Sequence, residues 1–459
     1  MLKVKYSLTE GPLFTRLLTF SIPIMLTGIL QAMYTLVGGI IVGQYSPDPY
    51  ALTAIGSTTY LIALFTNALI GLSTGAGIVV ARLAGAGDNE KISRATHTSM
   101  TFSLLIGLAI GVISLILAEP ILVWLGTTKE AFGGALLYFR LIMIGMPAVS
   151  VYNFGNSILR SVGDSKTPLY ILAVSGLLNL LLSFLFVAVL GMSLDGVALA
   201  TVISQYISAA WVTLLLFTRK SENYSLRLRD MRVDKVSLGQ ILLFGIPAAI
   251  QSALFSLSNL LITNSINSLG PVAMSSMTVI EMIVQFPSVI VSAFTHSATT
   301  ILAQNLGAEN TERSKKTVLY SIIEMTLIAF VISLLVFLLS PALLWAFMSD
   351  TTADREAVYA CANSLMNWYA FPLMLCGIMD VLAGLLRGFG RAVTAMVICL
   401  PSIIVLRVLW ILFLFPLDPF HSLDGIYWCY PISWACCSVI LTVFLVSTYK
   451  NYFKKRAFR

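Results

Sequence analysis

Two charged residues in an otherwise apolar stretch of the chain have the chemistry to bind and release ions. Residues 371–391, FPLMLCGIMDVLAGLLRGFGR, could cross a bilayer as one helix, and Asp380 precedes Arg387 in it by seven positions. At about 1.5 Å per helical residue, Asp380 lies roughly 10 Å inside the apolar span. An acid at that depth is costly to keep, so Asp380 is a candidate functional residue.

Glu281 is a second acid that interrupts an apolar segment. It lies about ten residues, or roughly 15 Å of helix, from one end of that segment, and Gln285 follows one turn later. A carboxylate in a low-dielectric cavity can hold a cation and, in its absence, a proton or Na⁺. Glu281 and Asp380 are therefore predicted to couple the binding of a cationic substrate to the release of a proton or Na⁺. If Na⁺ is the coupling ion, it is expected to bind near these two residues. The alternative is a structural salt bridge to Arg407 or Arg140.

Further polar side chains recur at helical spacing in the apolar segments, and such faces point away from lipid. Tyr369 and Cys376 are predicted to share a helix face with Asp380. For each uncharged residue, the alternative is a hydrogen bond between helices without any substrate. Besides the two acids, the candidate substrate- and cation-coupling residues are Gln285, Asn179, Asn153, Gln31, Tyr34, Asn67, Gln205, Asn259 and Tyr369.

The segments that carry these residues are predicted to be membrane-spanning helices. Of 459 residues, 58% are hydrophobic and 11% are charged, and a mean hydropathy of +0.90 excludes a soluble globular protein. Backbone polar groups in lipid must be satisfied within the segment, which favours helices over strands. We predict an all-α membrane protein with twelve spans, at roughly 14–42, 52–81, 94–117, 131–158, 167–190, 195–217, 237–266, 273–303, 317–345, 356–386, 392–416 and 425–448.

The distribution of Lys and Arg predicts the orientation of these spans. Of the 28 Lys and Arg residues, 24 lie in one alternate set of connecting segments, whereas the other set has only Lys129 and Arg355. By the positive-inside rule, both termini are cytoplasmic in a multi-pass protein of the cell membrane. The positive charge lies in short loops rather than on one soluble face, so nucleic acid is not expected as a partner.

An internal repeat runs through the chain with an offset of about 220 to 230 residues. Halves with six spans each are parallel, and such halves place a substrate site near the midplane between them. We predict two six-helix bundles, 1–217 and 237–459, joined by a solvated cytoplasmic linker, 218–236, with a short surface helix at Leu226–Arg232. The matching positions include Pro23 and Pro247, LAGAGDN at 83–89 and NLGAENT at 305–311, Pro147 and Pro372, Asn153 and Asp380, and SLDG at 193–196 and 422–425.

Sequence signatures of enzymes and of nucleotide-driven pumps do not occur in the chain. The glycine run 71–77, GLSTGAG, lacks the Lys-Ser/Thr of a phosphate loop, so close helix packing is the expected role of its glycines. The six cysteines have neither zinc nor CxxC spacing. We expect neither an enzymatic activity nor a cofactor, apart from H⁺ or Na⁺ as a coupling ion.

The assembled motifs resemble the multidrug and toxic compound extrusion (MATE) family over nearly the whole chain. This resemblance implies a V-shaped pair of six-helix bundles around a central cavity. It also implies alternating-access export of organic, often cationic, compounds in exchange for protons or sodium ions. The residues that carry it are EGPLFTRLLTFSIPIMLTGILQAMYTLVGGIIVGQ at 10–44, the paired loops at 83–89 and 305–311, ILRSVGDSKTP at 158–168, LLRGFGRAVT at 385–394, and Asn179 in LLNLLLS.

Two positions depart from the pattern of that family. Its members usually have an aspartate late in the first span, where this chain has Gly38. They also usually have an aspartate four residues after the asparagine of the fifth span, where this chain has Ser183 after Asn179. The N-terminal carboxylate site that the resemblance implies therefore lacks two acids. Either the coupling site has moved to the C-terminal half, or the coupling in this chain is unusual.

Two other kinds of function compete with an exporter. A flippase for a lipid-linked precursor would need clustered cavity arginines to hold a pyrophosphate, whereas only Arg140 and Arg407 lie within spans. A channel or a sensor would not carry out uphill transport that depends on a counter-ion. We expect a secondary active transporter that acts as a monomer on a small organic substrate, with membrane lipid as its other partner.

The predicted orientation can be tested by labelling with a membrane-impermeant maleimide. In a background without the six native cysteines, cysteines introduced at Ser46, Gly191 and Ser268 are expected to react from outside the cell. A cysteine at Ser221 is expected to react only from inside, because the Lys and Arg residues are concentrated on that side. Intact cells and inverted vesicles provide the two measurements, and the reverse pattern would contradict the orientation.

Overall fold

All regular elements of the described residues are helical. The structure is a computed structural model, and it describes residues 8–48, 50–124, 127–348 and 354–457. The α-helices are α1 Leu13–Tyr45, α2 Ala51–Ala86, α3 Asn89–Trp124, α4 Lys129–Ile144, α5 Met146–Ser161, α6 Lys166–Phe184, α7 Leu194–Thr218, α8 Lys235–Asn267, α9 Pro271–Gly307, α10 Thr311–Phe347, α11 Arg355–Tyr369, α12 Leu373–Gly388, α13 Ala392–Cys399, α14 Leu406–Leu409, α15 Leu423–Tyr427 and α16 Cys429–Ala457.

The lengths and hydropathies of these helices fit a multi-pass membrane protein. In the described part of the chain, ten helical segments are long and apolar enough to cross a bilayer, and the number rises to twelve if two bent pairs each form one span. In lipid, a helix satisfies its own backbone donors and acceptors, which a single strand cannot do. The predicted all-α membrane fold is confirmed.

The two bent pairs occupy matching positions of the repeat. The bend between α4 and α5 is 44°, and the bend between α11 and α12 is 52°. Pro147 and Pro372, which correspond in the repeat, lie at these bends, and proline lacks the amide N–H that would continue a helix. The prediction that Tyr369 and Asp380 share one helix face is therefore wrong, since the bend separates them.

Wide π-helical turns also occur in corresponding spans. Leu185–Val189 continues α6, and Leu400–Val405 and Trp410–Leu414 flank α14. A π-turn inserts an extra residue into a helix and often marks a functional region. The fifth span and the eleventh span are thus both irregular, as copies of one ancestral span would be.

The chain forms two compact units, each with its own packed interior. The first contains Ile22–Ala253 and Ala303–Glu309, together with the described residues before Gly11. The second contains Gly11–Ser21, Leu254–Leu302 and Asn310–Arg459. The division into bundles at 1–217 and 237–459 stays a prediction.

Glycines on α2 allow a close helix contact within the first unit. A side chain at Gly71 would overlap the backbone of Ala248 and Ala249 on α8, and one at Gly75 would overlap the backbone of Gly245. Helix backbones approach this closely only where a Cβ atom is missing. The predicted packing role of the glycine run is confirmed.

A second close contact in this unit joins the ends of α2 and α9 through corresponding glycines of the repeat. A side chain at Gly85 would overlap the carbonyl group of Gln304, and one at Gly307 would overlap the carbonyl group of Arg82. The Gln304 amide also donates to the carbonyl oxygen of Ser161 at 2.5 Å. The two matching loop motifs of the sequence repeat thus meet at a symmetrical crossing.

The segment predicted as a solvated linker is partly packed. Residues 224–226 are buried, and the backbone N–H of Arg227 donates to Nε2 of His97 on α3 at 2.8 Å. These attachments hold the chain in a non-helical path. The predicted surface helix Leu226–Arg232 is accordingly reduced to one 3₁₀ turn, Leu228–Asp230.

Valine at Gly85 or at Gly307 is expected to destabilise the protein by about 1–3 kcal/mol, because the new side chain would collide with backbone atoms across the crossing. Melting in detergent, followed by size-exclusion chromatography, measures the loss. Valine at Gly39 is the matched control, since a Cβ atom there would meet no atom within 4 Å. Equal melting of all three variants would contradict the proposed contact.

Candidate functional site

Tyr34 joins α1 to α6 in the first unit. Its hydroxyl donates to the carbonyl oxygen of Ala173 at 3.2 Å, and its ring lies against Gly176. Any side chain at position 176 would occupy the space of the ring. The hydrogen bond therefore holds the tyrosine in place, and the ring fills the space that glycine leaves at position 176.

Asn179 continues this set on the next turn of α6. Its side-chain amide donates to the hydroxyl of Thr201 on α7 at 3.2 Å. Ser183 follows one turn later and is fully buried, and its hydroxyl has no hydrogen-bond partner among the described residues. Helix α6 thus brings Tyr34, Asn179 and Thr201 into one polar layer.

This N-terminal layer is uncharged. Helices α1, α2 and α6 contain no Asp or Glu, and a Cβ atom at Gly38 would meet no atom within 4 Å. Neutral amide and hydroxyl groups can orient a ligand, but they supply no counter-charge for a cation. The two acids that the family resemblance implies in this half are replaced by open space at Gly38 and by a buried hydroxyl at Ser183.

The other N-terminal candidates are scattered. Asn153 donates to the carbonyl oxygen of Val149 at 2.8 Å, so its amide serves its own helix. Gln31 is exposed on α1, and Asn67 is half-buried on α2. The amide oxygen of Gln205 lies against Gly145 at the bend between α4 and α5. These four residues lie on four different helices, α5, α1, α2 and α7.

In the second unit, Glu281 lies on a polar and exposed face of α9. Gln285 and Ser288 follow on the same face and are also exposed, whereas Ile280 and Ile283 on the opposite side are buried. Lipid would penalise a carboxylate and an amide side by side, so this face is suited to a water-filled cavity. The predicted stripe from Glu281 to Gln285 is present as a continuous face.

Tyr369 is the centre of an aromatic cluster that joins α11, α15 and the first turns of α16. Its side chain is buried, and its ring centroid lies 4.9 Å from that of Tyr427. The centroids of Tyr430 and Trp434 are each 6.1 Å away. Tyr427 is also within electrostatic range of the Glu281 carboxylate. The cluster and the acid on α9 are therefore within interaction range of each other.

Arg407 packs onto this aromatic cluster rather than onto an acid. The residue is 3% exposed, its guanidinium carbon lies 4.3 Å from the ring centroid of Tyr430, and its Nε donates to Ser433 at 3.2 Å. Among the described residues, no ion pair joins Arg407 to Glu281 or Asp380. The alternative of a structural salt bridge through Arg407 is not observed, and Arg140 is exposed on α4.

Asp380 belongs to the same unit as the aromatic cluster. It is half-buried on α12, close to Thr295 of α9 and within electrostatic range of Arg387. Cys376, one turn earlier, is within range of both Asp380 and Arg407. Glu281 and Asp380 thus lie on two helices of the second unit, α9 and α12. Asn259, by contrast, is exposed on α8 and is not placed beside either acid by any described contact.

One buried acid, Glu324 on α10, is not among the sequence-based candidates. The side chain is 1% exposed, and neither carboxylate oxygen has a hydrogen-bond partner in the described part of the chain. The signal that singles out Asp380, an acid inside an apolar segment, is equally present in SIIEMTLIAF at 321–330. Glu324 could therefore have been predicted from the sequence.

Metal-binding side chains form no cluster in the part of the chain that the structure describes. No group of three or more His, Cys, Asp or Glu residues there is arranged to hold a metal ion. A site for Na⁺ would instead draw on hydroxyl and carbonyl oxygens beside a single carboxylate, since Na⁺ is a hard cation.

Known proteins with similar sequences are described as drug exporters. The chain is 28% identical to the Bacillus subtilis protein "Probable multidrug resistance protein YoeA", over 85% of this chain and 83% of that one. It is 24% identical to "Multidrug export protein MepA" of Staphylococcus aureus, over 96% of each chain.

The fold is also that of solved transporter structures, and a family model covers most of the chain. A structure described as "Crystal structure of MATE in complex with MaL6" superimposes with a TM-score of 0.91 at 21% identity, covering 99% of this chain and 100% of that one. The model of the MatE family matches residues 23–185 and 247–412, one stretch in each half of the repeat. The chain therefore belongs to the MatE family and is a multi-pass membrane transporter rather than an enzyme.

Proposed function

We propose that the protein is a secondary active multidrug exporter that expels organic cations in exchange for H⁺ or Na⁺. The observation that carries this proposal is a pair of carboxylates within apolar spans of the second unit. Glu281 is within electrostatic range of Tyr427 in the aromatic cluster, and Asp380 is half-buried on α12. Aromatic faces attract organic cations, and a nearby carboxylate supplies the counter-charge. We further propose that the protein acts as a monomer with both termini in the cytoplasm.

Exchange follows from competition for the same carboxylates. With no substrate bound, Glu281 and Asp380 are each neutralised by a proton or by Na⁺. A cationic substrate that enters the cluster replaces this ion, and the displaced ion leaves to the side that is open. A ligand shifts the equilibrium between the inward-open and outward-open conformations only if it binds them with different affinities. Exchange also requires that the substrate and the ion do not occupy the carboxylates together.

The neutral layer around Tyr34 and Asn179 has a different role in this proposal. Its hydroxyl and amide groups supply no counter-charge, and the charge that a cationic substrate needs is supplied by the acids of the C-terminal half. The similarity to YoeA and MepA, whose names describe multidrug resistance and multidrug export, supports a broad range of substrates. Aromatic surfaces suit such breadth, since they bind through flat contact more than through directed hydrogen bonds.

A lipid-precursor flippase fits these observations less well. A pyrophosphate would need several basic groups that converge on it. Arg407 is a single buried cation whose guanidinium is already stacked on Tyr430 and bonded to Ser433. This arrangement holds one positive charge in an aromatic setting and offers no basic cluster.

Reconstitution tests the proposed exchange directly. Purified protein in liposomes is expected to move ethidium against its concentration gradient when a pH gradient or a Na⁺ gradient is imposed, and not in their absence. If ethidium moves only down its own concentration gradient, whether or not a pH or Na⁺ gradient is imposed, the result would favour a channel and contradict the proposal.

Glu281→Gln is expected to abolish gradient-driven ethidium export while the protein still reaches the membrane, because the amide cannot exchange a proton or a cation. Asp380→Asn is expected to weaken export without abolishing it. Arg387 is within electrostatic range of Asp380, so part of the charge of this carboxylate is already balanced by the protein. Glu119→Gln, at an exposed acid on α3, is the matched control and should transport as the unmodified protein does. Fluorescence of trapped dye measures export, and immunoblotting of membranes measures expression. Full coupling in a well-expressed Glu281→Gln, Asp380→Asn double variant would refute these roles.

A further inference from the structure

Glu324 is an acid inside the membrane region that the proposed exchange does not use. The residue is 1% exposed, and both its carboxylate oxygens are without hydrogen-bond partners among the described residues. A structural carboxylate would be expected to accept hydrogen bonds or to form an ion pair, because an isolated buried charge is very costly. In this conformation the side chain is therefore suited to carry a proton.

A stripe of buried hydroxyl groups leads along α10 to this acid. Ser314, Thr317 and Ser321 are each fully buried, and they precede Glu324 at spacings of three or four residues. Such spacings place the four side chains on one flank of a helix. The stripe begins one turn inside the Thr311 end of the helix, beside Arg313, Lys315 and Lys316, the residues that predict a cytoplasmic end.

The hydroxyl nearest to the acid is itself available for hydrogen bonding. Ser314 donates to the carbonyl oxygen of Asn310 at 2.7 Å, and Thr317 donates to that of Arg313 at 2.8 Å. The hydroxyl of Ser321, by contrast, is buried without a partner in the described part of the chain. By rotating, this hydroxyl could pass a proton to or from the carboxyl group of Glu324, which lies one turn further along α10.

Glu324 also lies beside a close contact between α10 and α12. A Cβ atom at Gly377 would come within 3.1 Å of Cβ of Ala329 and 3.2 Å of Sδ of Met325. Glu324 immediately precedes Met325, and Asp380 follows Gly377 by three residues. Both acids are therefore within one helical turn of the same crossing, and a shift of α12 against α10 would change the surroundings of both.

We propose that Glu324 is a second proton-binding site of this transporter, connected to the Thr311 end of α10 by the buried hydroxyl stripe. This inference rests on the proposed exchange and adds H⁺ as its coupling ion. Glu324 holds a proton while α10 and α12 are packed together as in this structure. It releases the proton toward the Thr311 end of α10 when α12 shifts against α10 and water enters along the hydroxyl stripe.

The elements packed around this part of α10 carry other ionisable groups. Phe14 of α1 packs against Tyr320, with ring centroids 6.1 Å apart, which places the start of α1 beside this part of α10. Val291 of α9 also contacts Gly377. The ionisable residues on these elements include Arg16 on α1, Glu281 and His296 on α9, Glu312, Arg313, Lys315, Lys316 and Tyr320 on α10, and Cys376, Asp380 and Arg387 on α12.

Carbodiimide labelling tests whether Glu324 binds and exchanges a proton. Dicyclohexylcarbodiimide adds to protonated carboxyls in apolar surroundings: the acid proton moves to one nitrogen, the carboxylate oxygen bonds to the central carbon, and acyl migration gives a stable N-acylurea. Mass spectrometry of the purified, unmodified protein is expected to find this adduct at Glu324, with a yield that falls as the pH rises. No adduct at any pH, or a yield that does not change with pH, would overturn the proposal.

Transport by liposomes with Glu324→Gln separates coupling from folding. This variant is expected to bind ethidium as the unmodified protein does but to lose the response to a pH gradient. Glu312→Gln is the control on the same helix, because Glu312 is exposed and paired with Lys316 at 2.7 Å. Ser321→Ala is expected to slow pH-driven transport without changing ethidium affinity.

The outcomes distinguish this inference from the exchange on which it rests. A full response to the pH gradient in Glu324→Gln, or transport driven by Na⁺ alone, would overturn the second proton site and leave the exporter intact. If the unmodified protein responds to no gradient at all, the exporter itself is refuted, whereas labelling still decides whether Glu324 exchanges a proton. If Glu324→Gln fails to reach the membrane, labelling of the unmodified protein decides the question.

Discussion

The cost of holding a charge inside a bilayer is the constraint on which the rest of this structure depends. Three acids lie well inside the spans, Glu281, Asp380 and Glu324, and all three belong to the C-terminal half. Glu281 is on a polar exposed face, Asp380 is half-buried close to Thr295, and Glu324 is fully buried. Each setting lowers the cost in a different way, through water, through neighbouring dipoles or through protonation.

The duplicated architecture preserves geometry while the chemistry of the halves differs. The bends at Pro147 and Pro372, the π-turns of the fifth and eleventh spans, and the crossing at Gly85 and Gly307 all follow the repeat. Such features depend on backbone form, which both copies share. The side chains at equivalent places do not match, since Asn153 corresponds to Asp380. A neutral N-terminal layer and an acidic C-terminal one are the result.

Much of the fold could be predicted from the sequence because lipid reduces the choice of structures. The length of the apolar segments predicts the membrane spans, and the repeated motifs predict the duplication. The glycine run lacks the lysine of a phosphate loop, which predicts close helix packing at Gly71 and Gly75. Asp380 and Glu281 stand out for the same reason, since acids are rare in apolar segments. Glu324 meets that criterion too, but its segment lacks the obvious amide neighbours that draw attention to Glu281.

What could not be predicted depends on contacts between distant parts of the chain. The 52° bend after Tyr369 removes that residue from the helix face of Asp380, yet the aromatic cluster brings it back to the same region. Helical periodicity carries no information about either effect. The stacking of Arg407 on Tyr430, in place of a salt bridge, likewise depends on the packing of α14 against α16. The burial of residues 224–226 arises from attachment to α3, which the charge pattern of the linker does not reveal.

The central claim is that a cationic substrate and the coupling ion compete for carboxylates in the C-terminal half. Calorimetric titration of the purified protein with ethidium, in two buffers of different ionisation enthalpy and with and without Na⁺, measures the protons or sodium ions released on binding. The account predicts release of H⁺ or Na⁺ by the unmodified protein and its loss in the Glu281→Gln, Asp380→Asn double variant. Binding without release of either ion, or release that is unchanged in the double variant, would contradict it.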